Sequence, residues 1–421
     1  MYKFISYIGS KVKLFDFLEE IIFSKFDKND KEITFYDLFA GTNAVNNYVF
    51  KTTNWNIVTN DFSNYSYILS HYLEFQKFSF NHKQKLKEKL IFLDKLPLIK
   101  GDIYNEFSIG GIPKSIDKNI YKTIFYNQPY NSRMFFSSIV GMKIDTIKEG
   151  IKTLYLNKEI TKTEQYILLI FLLYYVNNNS NTTSIFGAYL KSTKKIEKET
   201  LFLNSKIMIL FEKDYKKNNL ISHLKMDTEK LSNKFYNELN ININKNIIYL
   251  DPPYSTRSYE SNYHILDYIV DFNFNPLKDI KYNSKTAQFN NRCYNSFAKK
   301  GDTLKSLENI IYNSLLISNH IFISYNSEGL IKEEQINNLY IKLKKKYIHL
   351  KLYTYTKDYK KFKAAKSNMK KESEEYNRLL NKKDKNNNEK ELLKKLKNKL
   401  NNNKEDNKTL KEIIWYFRNE G

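Results

Sequence analysis

Cysteine, glycine and proline are all scarce in this chain. A single cysteine, Cys293, in 421 residues excludes an internal disulfide framework and any zinc site built from several thiolates. The 11 glycines and 6 prolines exclude a collagen-like or low-complexity composition. Because 41% of the residues are hydrophobic, the chain has enough apolar side chains for one large core or two.

Long hydrophobic runs are also missing. The most apolar stretch, Tyr166–Val176, has 11 residues, too few for a helix that crosses a bilayer of about 30 Å, and it predicts a buried helix. The N-terminal sequence MYKFISYIGSKVKLF contains no apolar core of a secretory signal. We therefore expect a soluble cytoplasmic protein with no membrane segment.

Arginine is rare, with five residues among 69 basic ones, yet the formal net charge is +23. Such a surplus suits a polyanion, either nucleic acid or an anionic membrane surface. Residues 357–421 carry +9 of it, and the Lys/Asn-rich composition of 382–409 is typical of a solvated helix or a linker. The charge alone therefore does not decide which partner the protein binds.

Short β-rich runs begin the chain and return after a long helical block. They lie at 33–40, 55–61, 246–251, 320–325 and 347–355. The first run ends at a glycine and is followed by a helical pattern and a second run, which is how a parallel α/β sheet begins. The sequence predicts an α/β fold in three parts: a sheet domain over 1–75 and 216–362, a mainly helical insertion over 76–215, and a basic extension over 363–421.

The tetrapeptide Asp251-Pro252-Pro253-Tyr254 directly follows one of these apolar runs. A buried strand in an open α/β sheet ends at the edge where such folds bind their ligands. Two prolines remove two N–H donors, so the loop offers carbonyl oxygens, a carboxylate and an aromatic ring. This set suits a planar heterocycle with an amino group, whose hydrogens the Asp251 carboxylate and a carbonyl would accept while Tyr254 stacks on the ring.

The tetrapeptide resembles the catalytic loop of the DNA adenine-N6 methyltransferases that use S-adenosyl-L-methionine, in the Dam-like motif order. Other blocks extend the resemblance over most of residues 1–362, among them YIGSK at 7–11 and DLFAGT at 37–42. It implies a Rossmann-like methyltransferase sheet that carries an inserted, mainly helical DNA-recognition domain.

The same resemblance implies a set of cofactor contacts. Lys11 would approach the methionine carboxylate, Asp61, 20 residues after Gly41, would hold the ribose hydroxyls, and Asp227 would accept from the adenine amino group. The remaining implied contacts are Tyr7, Asp37, Phe39 and Gly41. The family's second loop glycine is Asn43 here, and asparagine is the residue other than glycine that best tolerates left-handed φ.

The helical insertion would read the target. Its blocks NSRMFF at 131–136 and GAYLK at 187–191 resemble segments of methylases from restriction systems. Because the chain otherwise uses lysine as its basic residue, Arg133 and Arg257 are expected to make the bidentate contacts to DNA that lysine cannot make. His264 is expected to be structural or to face DNA.

These residues together predict transfer of a methyl group from S-adenosylmethionine to the N6 amino group of an adenine flipped out of duplex DNA. The protein would be the modification part of a restriction-modification system, and a separate protein would supply the endonuclease, because no nuclease carboxylates or metal-ligand cluster stand out. Two alternatives stay open at this point: an RNA amino-group methyltransferase, and a catalytically inactive DNA-binding protein of the same fold.

Overall fold

The protein is built around one mixed β-sheet. The computed structural model describes residues 5, 11–126, 128–183, 185–195, 201–213, 215–230, 242–254, 259–290, 297, 299, 301–360, 375–382, 386, 389–396 and 409–421. Within these residues the strands are β1 Thr34–Asp37, β2 Asn56–Asn60, β3 Ile221–Leu224, β4 Asn246–Leu250, β5 His320–Asn326, β6 Leu350–Lys360 and β7 Thr409–Asn419.

The sheet has the order β3-β2-β1-β4-β5-β7-β6. Strands β1 to β5 are parallel, whereas β7 lies antiparallel between β5 and β6. The chain moves outward from β1 to β3 on one side and then continues from β4 on the other. The neighbours β1 and β4 therefore mark the point where the strand order reverses, and open α/β sheets bind ligands beyond the carboxyl ends of the strands at this point.

Alternation of side chains along β4 builds a core on each face of the sheet. Ile247 and Tyr249 pack in one cluster with Phe35 of β1, and Ile248 and Leu250 pack in the other. Because successive strand residues point to opposite faces, a run of five buried residues must be covered on both sides. The helices that follow the strands provide this cover.

The helices are mostly short, and the longest belong to a separate helical unit. Their bounds are α1 Phe15–Ile21, α2 Ala44–Thr52, α3 Asn64–Ser70, α4 Tyr72–Lys77, α5 Phe80–Lys95, α6 Asp102–Phe107, α7 Tyr121–Ile124, α8 Ser138–Leu156, α9 Lys162–Asn179, α10 Ser205–Phe211, α11 Tyr259–Val270, α12 Pro276–Asp279, α13 Thr303–Ser314 and α14 Glu333–Lys344. A 3-10 helix at Lys11–Leu14 precedes α1.

Helix α9 is the centre of the helical unit. It begins at a capping box in which Thr161 and Glu164 satisfy each other's free backbone N–H groups. Residues 167–176 are all buried, as the apolar run predicted, and burial of each large side chain contributes about 1.5–3 kcal/mol. Among the described residues, no helix combines the length and apolar composition needed to cross a membrane.

The observed organisation differs from the predicted boundaries in two ways. Helix α11 and the segment 276–290 pack their apolar side chains into the core of the helical unit, although they follow the tetrapeptide 251–254 in sequence. Strand β7 lies inside the predicted extension 363–421, yet it pairs with β6 along its whole length and with β5 over residues 412–418. Both differences arise from contacts between residues far apart in sequence, which a linear pattern does not reveal.

Candidate active site

The loop after β1 turns tightly because two of its residues adopt left-handed backbone conformations. Gly41 has φ 51° and Asn43 has φ 58°. Asn43 N donates to Ala40 O at 2.7 Å, and α2 begins at the next residue. The expectation that asparagine tolerates left-handed φ at this position is confirmed, and the loop closes without the family's second glycine.

Asp61 closes this loop from the end of β2. Its Oδ2 accepts a hydrogen bond of 2.8 Å from Gly41 N, and its Oδ1 accepts one of 2.9 Å from Ser63 N. Burial raises the pKa of Asp61, and these backbone N–H groups oppose that rise. The predicted pair of Gly41 and an acid 20 residues later is thus in direct contact at the carboxyl edge of the sheet.

Asn60 joins three segments of this edge, a role that the motifs did not predict. Its Nδ2 donates to Leu38 O at 3.2 Å and to Met226 O at 3.1 Å, while its Oδ1 accepts from Met226 N at 3.1 Å. This places Asp227 beside the end of β2, where its Oδ1 accepts from Glu229 N at 3.1 Å. The one feature of the sequence that pointed to this role of Asn60 was a polar residue at the end of an apolar strand.

Asp37 is buried at the end of β1. Its Oδ2 accepts a hydrogen bond of 2.9 Å from Asn46 Nδ2, and its Oδ1 accepts from Phe39 N at 3.3 Å. Burial and the nearby Asp251 carboxylate raise the pKa of Asp37 well above its usual range. Phe39 is half-buried, and its ring packs edge-on against Phe297 with the ring centres 5.4 Å apart.

Asp251 follows β4 and faces the lysine from the N-terminal block. Lys11 Nζ lies 3.0 Å from Asp251 Oδ1 and 2.8 Å from Glu412 Oε1. Burial raises the pKa of Asp251 to about 6, with a further contribution from Glu412, while Lys11 opposes the rise. Burial opposes protonation of Lys11, but the two carboxylates raise its pKa well above the usual value.

Glu412 is a site residue that the sequence motifs missed. It lies on β7, is 1% exposed, and accepts a hydrogen bond from Ser324 Oγ of β5 as well as from Lys11. It is 401 residues away from Lys11 in the chain and belongs to no block of the resemblance. Only the position of β7 between β5 and β6 brings it to the site.

The rest of the tetrapeptide continues from Asp251 along the same edge. Pro252 is buried, whereas Pro253 and Tyr254 are half-buried. The Tyr254 ring stands edge-on to Tyr325 with the ring centres 6.2 Å apart, and Lys11 Nζ is 5.8 Å from its centre. A carboxylate and an aromatic ring therefore lie close together at this edge, with the two prolines between them in the chain.

Two predicted site residues, Tyr7 and Arg257, lie outside the described residues. Arg133 is described, and it differs from the expected DNA contact. Its guanidinium is fully buried and donates at 2.6 Å to Glu106. Because the side chain has no exposed surface, this arrangement does not offer it to DNA, and the geometry that only arginine provides is used inside the helical unit.

His264 has a structural role. Its Nε2 lies 2.8 Å from Thr286 O and its Nδ1 lies 3.1 Å from Ser261 O, in a buried position within the helical unit. In the part of the chain that the structure describes, no group of three or more His, Cys, Asp or Glu side chains is placed to hold a metal ion.

The strand order and the position of the site at the β1/β4 reversal define an α/β protein with a Rossmann-like methyltransferase fold. Residues 7–311 match the family model of the D12 class N6 adenine-specific DNA methyltransferase. The chain belongs to this family of adenine-specific DNA methyltransferases. No solved structure matches it.

Curated relatives agree with the family match. The chain is 30% identical over 338 residues to Type II methyltransferase M.NlaIII of Neisseria lactamica, covering 80% of this chain and 87% of that protein. It is 28% identical over 375 residues to Type II methyltransferase M.CviAII of Paramecium bursaria Chlorella virus 1, covering 88% and 97%. It is 29% identical over 343 residues to Modification methylase StsI of Streptococcus sanguinis, covering 79% of this chain but 45% of StsI.

Proposed function

We propose that this protein is the site-specific modification enzyme of a restriction-modification system. It transfers a methyl group from S-adenosylmethionine to the N6 amino group of an adenine flipped out of duplex DNA. The observation that carries this proposal is the position of Asp251. It follows β4 at the point where the strand order reverses, and its Oδ1 lies 3.0 Å from Lys11 Nζ. The names of the relatives, type II methyltransferases and modification methylases, support the link to restriction-modification.

The chemistry of the site fits S-adenosylmethionine. Asp37 and Asp61 are carboxylates whose pKa values are raised, first by burial, and the Asp251 carboxylate contributes to the rise at Asp37. A cationic partner lowers the cost of keeping such carboxylates charged in a low-dielectric site. When bound, S-adenosylmethionine supplies a sulfonium cation that carries an electrophilic methyl group.

Several residues would hold the cofactor. Asp61 and Asp227 lie at the adjacent ends of β2 and β3, which suits contact with the ribose and the adenine, respectively. Gly41 provides close backbone approach at the turn after β1. Lys11 Nζ donates to Glu412 and lies 3.0 Å from Asp251 Oδ1, and because an ammonium has three N–H donors, one would serve the methionine carboxylate.

Asp251 would prepare the target amino group. The lone pair of adenine N6 is delocalised into the ring, so the amino group is a poor nucleophile. If the Asp251 carboxylate and the Pro252 carbonyl accept its two hydrogens, the lone pair is localised on nitrogen. The contribution is positioning and electrostatic stabilisation, and loss of one such contact typically costs about 100-fold to 1,000-fold in rate.

Tyr254 would hold the flipped base by stacking. Extrusion of a base from the duplex costs a few kcal/mol, which an aromatic face next to the accepting carboxylate helps to offset. Lysines, and Arg257 from the continuation of the catalytic loop, would supply the phosphate contacts that position the duplex and make binding depend on salt.

The variant Asp251→Ala tests the proposal. It is expected to lower the rate of methyl transfer to adenine in duplex DNA by at least about 100-fold, while DNA affinity stays within about threefold of the wild-type value, since phosphate contacts dominate affinity. A single-turnover rate within about tenfold of the wild-type rate would contradict the assigned role. Methylation-aware sequencing of DNA from cells that express the wild-type chain reveals the modified base and the target sequence together.

The same assays separate the two alternatives. An RNA methyltransferase would methylate RNA and leave duplex DNA unmodified under equal conditions. An inactive DNA-binding protein would show no heat of S-adenosylmethionine binding in calorimetry, although it would still bind DNA.

A further inference from the structure

Glu412 is a buried carboxylate that the motifs of the family do not include. It lies on β7 opposite Asn326 of β5, and Ser324 lies opposite Ile414. Ser324 and Glu412 are therefore diagonal neighbours on one face of the sheet, where side chains two positions apart reach each other. The Ser324 hydroxyl donates to Glu412 Oε1, the same oxygen that accepts from Lys11 Nζ at 2.8 Å.

The Lys11 ammonium is shared between two carboxylates that come from distant parts of the chain. It lies 3.0 Å from Asp251 Oδ1 and 2.8 Å from Glu412 Oε1, and its side chain is 5% exposed. The lysine side chain is flexible, so with a single carboxylate partner the ammonium would occupy several positions around Asp251. A second carboxylate, itself fixed by Ser324 in a rigid sheet, restricts the ammonium to one position.

Packing alone does not explain a glutamate at position 412. Its neighbours along β7 include Ile414 and Trp415, which are fully buried. Apolar side chains of similar volume commonly replace buried ion pairs without loss of stability, so a buried pair is weak evidence for a stabilising role. This carboxylate contacts Lys11, which in turn lies beside Asp251 of the tetrapeptide, and this position indicates a role in the reaction.

We propose that Glu412 is a positioning residue for methyl transfer: it holds the Lys11 ammonium on Oδ1 of Asp251 and so leaves Oδ2 of Asp251 to accept a hydrogen of the target amino group. This inference rests on the proposed function. Without Glu412, the ammonium would shift fully onto Asp251 and compete with the amino group for its oxygens.

Titratable groups from several elements lie near Asp251. Lys11 faces it from the 3-10 helix, Asp37 from β1, Tyr249 from β4 and Glu412 from β7. Burial raises the pKa of Asp251 to about 6, and the negative charge of Glu412 raises it further, while Lys11 opposes the rise. Removal of the Glu412 charge therefore lowers the pKa of Asp251, and the ionised form that accepts hydrogens persists to lower pH.

The test is the variant Glu412→Gln, which keeps the volume of the side chain and removes its charge. Steady-state methylation of duplex DNA is measured from pH 5 to pH 9 at saturating S-adenosylmethionine and DNA. We expect kcat to fall about tenfold to 100-fold, as misplacement of a catalytic group does, while KM for S-adenosylmethionine changes less than about threefold. The acid limb of the kcat profile is expected to move to lower pH.

Two further variants provide controls. Asp358→Asn removes the same charge from an exposed position on the neighbouring strand β6, and both its kcat and its acid limb are expected to match the wild type. Glu412→Asp keeps the charge but shortens the side chain, so its acid limb is expected to match the wild type although its kcat is lower. If Glu412 had a purely structural role, its substitutions would not affect kcat and the acid limb independently of each other.

A folded Glu412→Gln variant with unchanged kcat and an unchanged acid limb would overturn the inference while the proposed function stands. If Glu412→Gln does not fold, Ser324→Ala, which keeps every charge and releases Glu412 on one side, must lower kcat severalfold. Wild-type kcat in a folded Ser324→Ala variant would then overturn the inference. An inactive wild-type protein would contradict the proposed function, and the inference would fall with it.

Discussion

Arg133 Nη1 donates a hydrogen bond of 2.6 Å to Glu106 Oε2, and both side chains are wholly buried in the helical unit. The other guanidinium nitrogens donate to Ser115 Oγ at 2.9 Å and to Ser284 O at 2.7 Å and 3.2 Å. These bonds connect the loop after α6, the block around Arg133 and the segment that follows α12. A planar guanidinium with five donors can join three such segments, whereas a lysine ammonium cannot.

The variant Arg133→Met is expected to lower the free energy of unfolding by about 3–5 kcal/mol, because it removes the guanidinium that forms an ion pair with the buried Glu106 side chain. Urea denaturation followed by circular dichroism measures this change. The double variant R133M/E106L is expected to recover most of the loss, because it removes both charges. Equal stability of the single variant and the wild type would show that the pair does not support the fold.

Asn43 allows a second test, on the turn between β1 and α2. Its φ of 58° favours glycine, and its side chain donates to Ser66 O at 3.2 Å and accepts from Asn46 Nδ2 at 3.0 Å. Both Asn43→Gly and Asn43→Ala lose these bonds, but only alanine adds backbone strain. We expect Asn43→Ala to be about 1 kcal/mol less stable than Asn43→Gly and to bind S-adenosylmethionine more weakly. Thermal melting and calorimetry measure the two effects, and equal values for both variants would exclude backbone strain.

Asp251 is expected to reduce stability at the pH where the enzyme works. Its pKa in the folded protein is raised to about 6 by burial and Glu412, so it favours folding when it is protonated. That contribution is complete below the pKa of the unfolded chain and is lost as the pH rises through about 6. Asp251→Asn is therefore expected to exceed the wild type in stability at pH 8, by at most about 3 kcal/mol, and to match it near pH 4. A stability difference that is independent of pH would contradict this.

Tyr254 offers a test of base stacking. Tyr254→Ala removes the aromatic face and is expected to weaken the complex with a flipped base, by about 1–3 kcal/mol, and to lower the methylation rate. Tyr254→Phe keeps the ring and serves as the control. DNA with 2-aminopurine at the target reports on the environment of the base by fluorescence. If it brightens equally with the alanine variant and the wild type, Tyr254 does not stack on the base.

Much of the site was predictable because it depends on short segments. The strand that ends at Asp251, the turn at Gly41 with Asn43, and the acid at Asp61 are each local patterns of apolar run, turn residue and carboxylate. The carboxyl ends of adjacent parallel strands meet at one edge, so separate local patterns converge on one place. The burial of the apolar run in α9 was also predictable, because an apolar stretch with polar ends is typical of a buried helix.

Other features depended on pairing between distant segments. Strand β3 is a half-exposed edge strand, so it lacked the apolar run that marks an inner strand. Residues 409–419 and α11 belong to the sheet and to the helical unit, respectively, because their apolar side chains find partners far away in sequence. The sequence composition had placed residues 409–419 in a basic extension and α11 in the sheet domain.

The sequence by itself determined the class of the fold, the position of the tetrapeptide after β4 and most of the carboxylates at the edge of the sheet, since these follow from local hydrophobic patterns and from motifs. Only the tertiary structure decided that Arg133 is an internal ion-pair partner and that Glu412 reaches Lys11 beside Asp251. Burial and charge pairing depend on which distant segments pack together. The same basic or acidic residue type is therefore a surface contact in one fold and a buried partner in another.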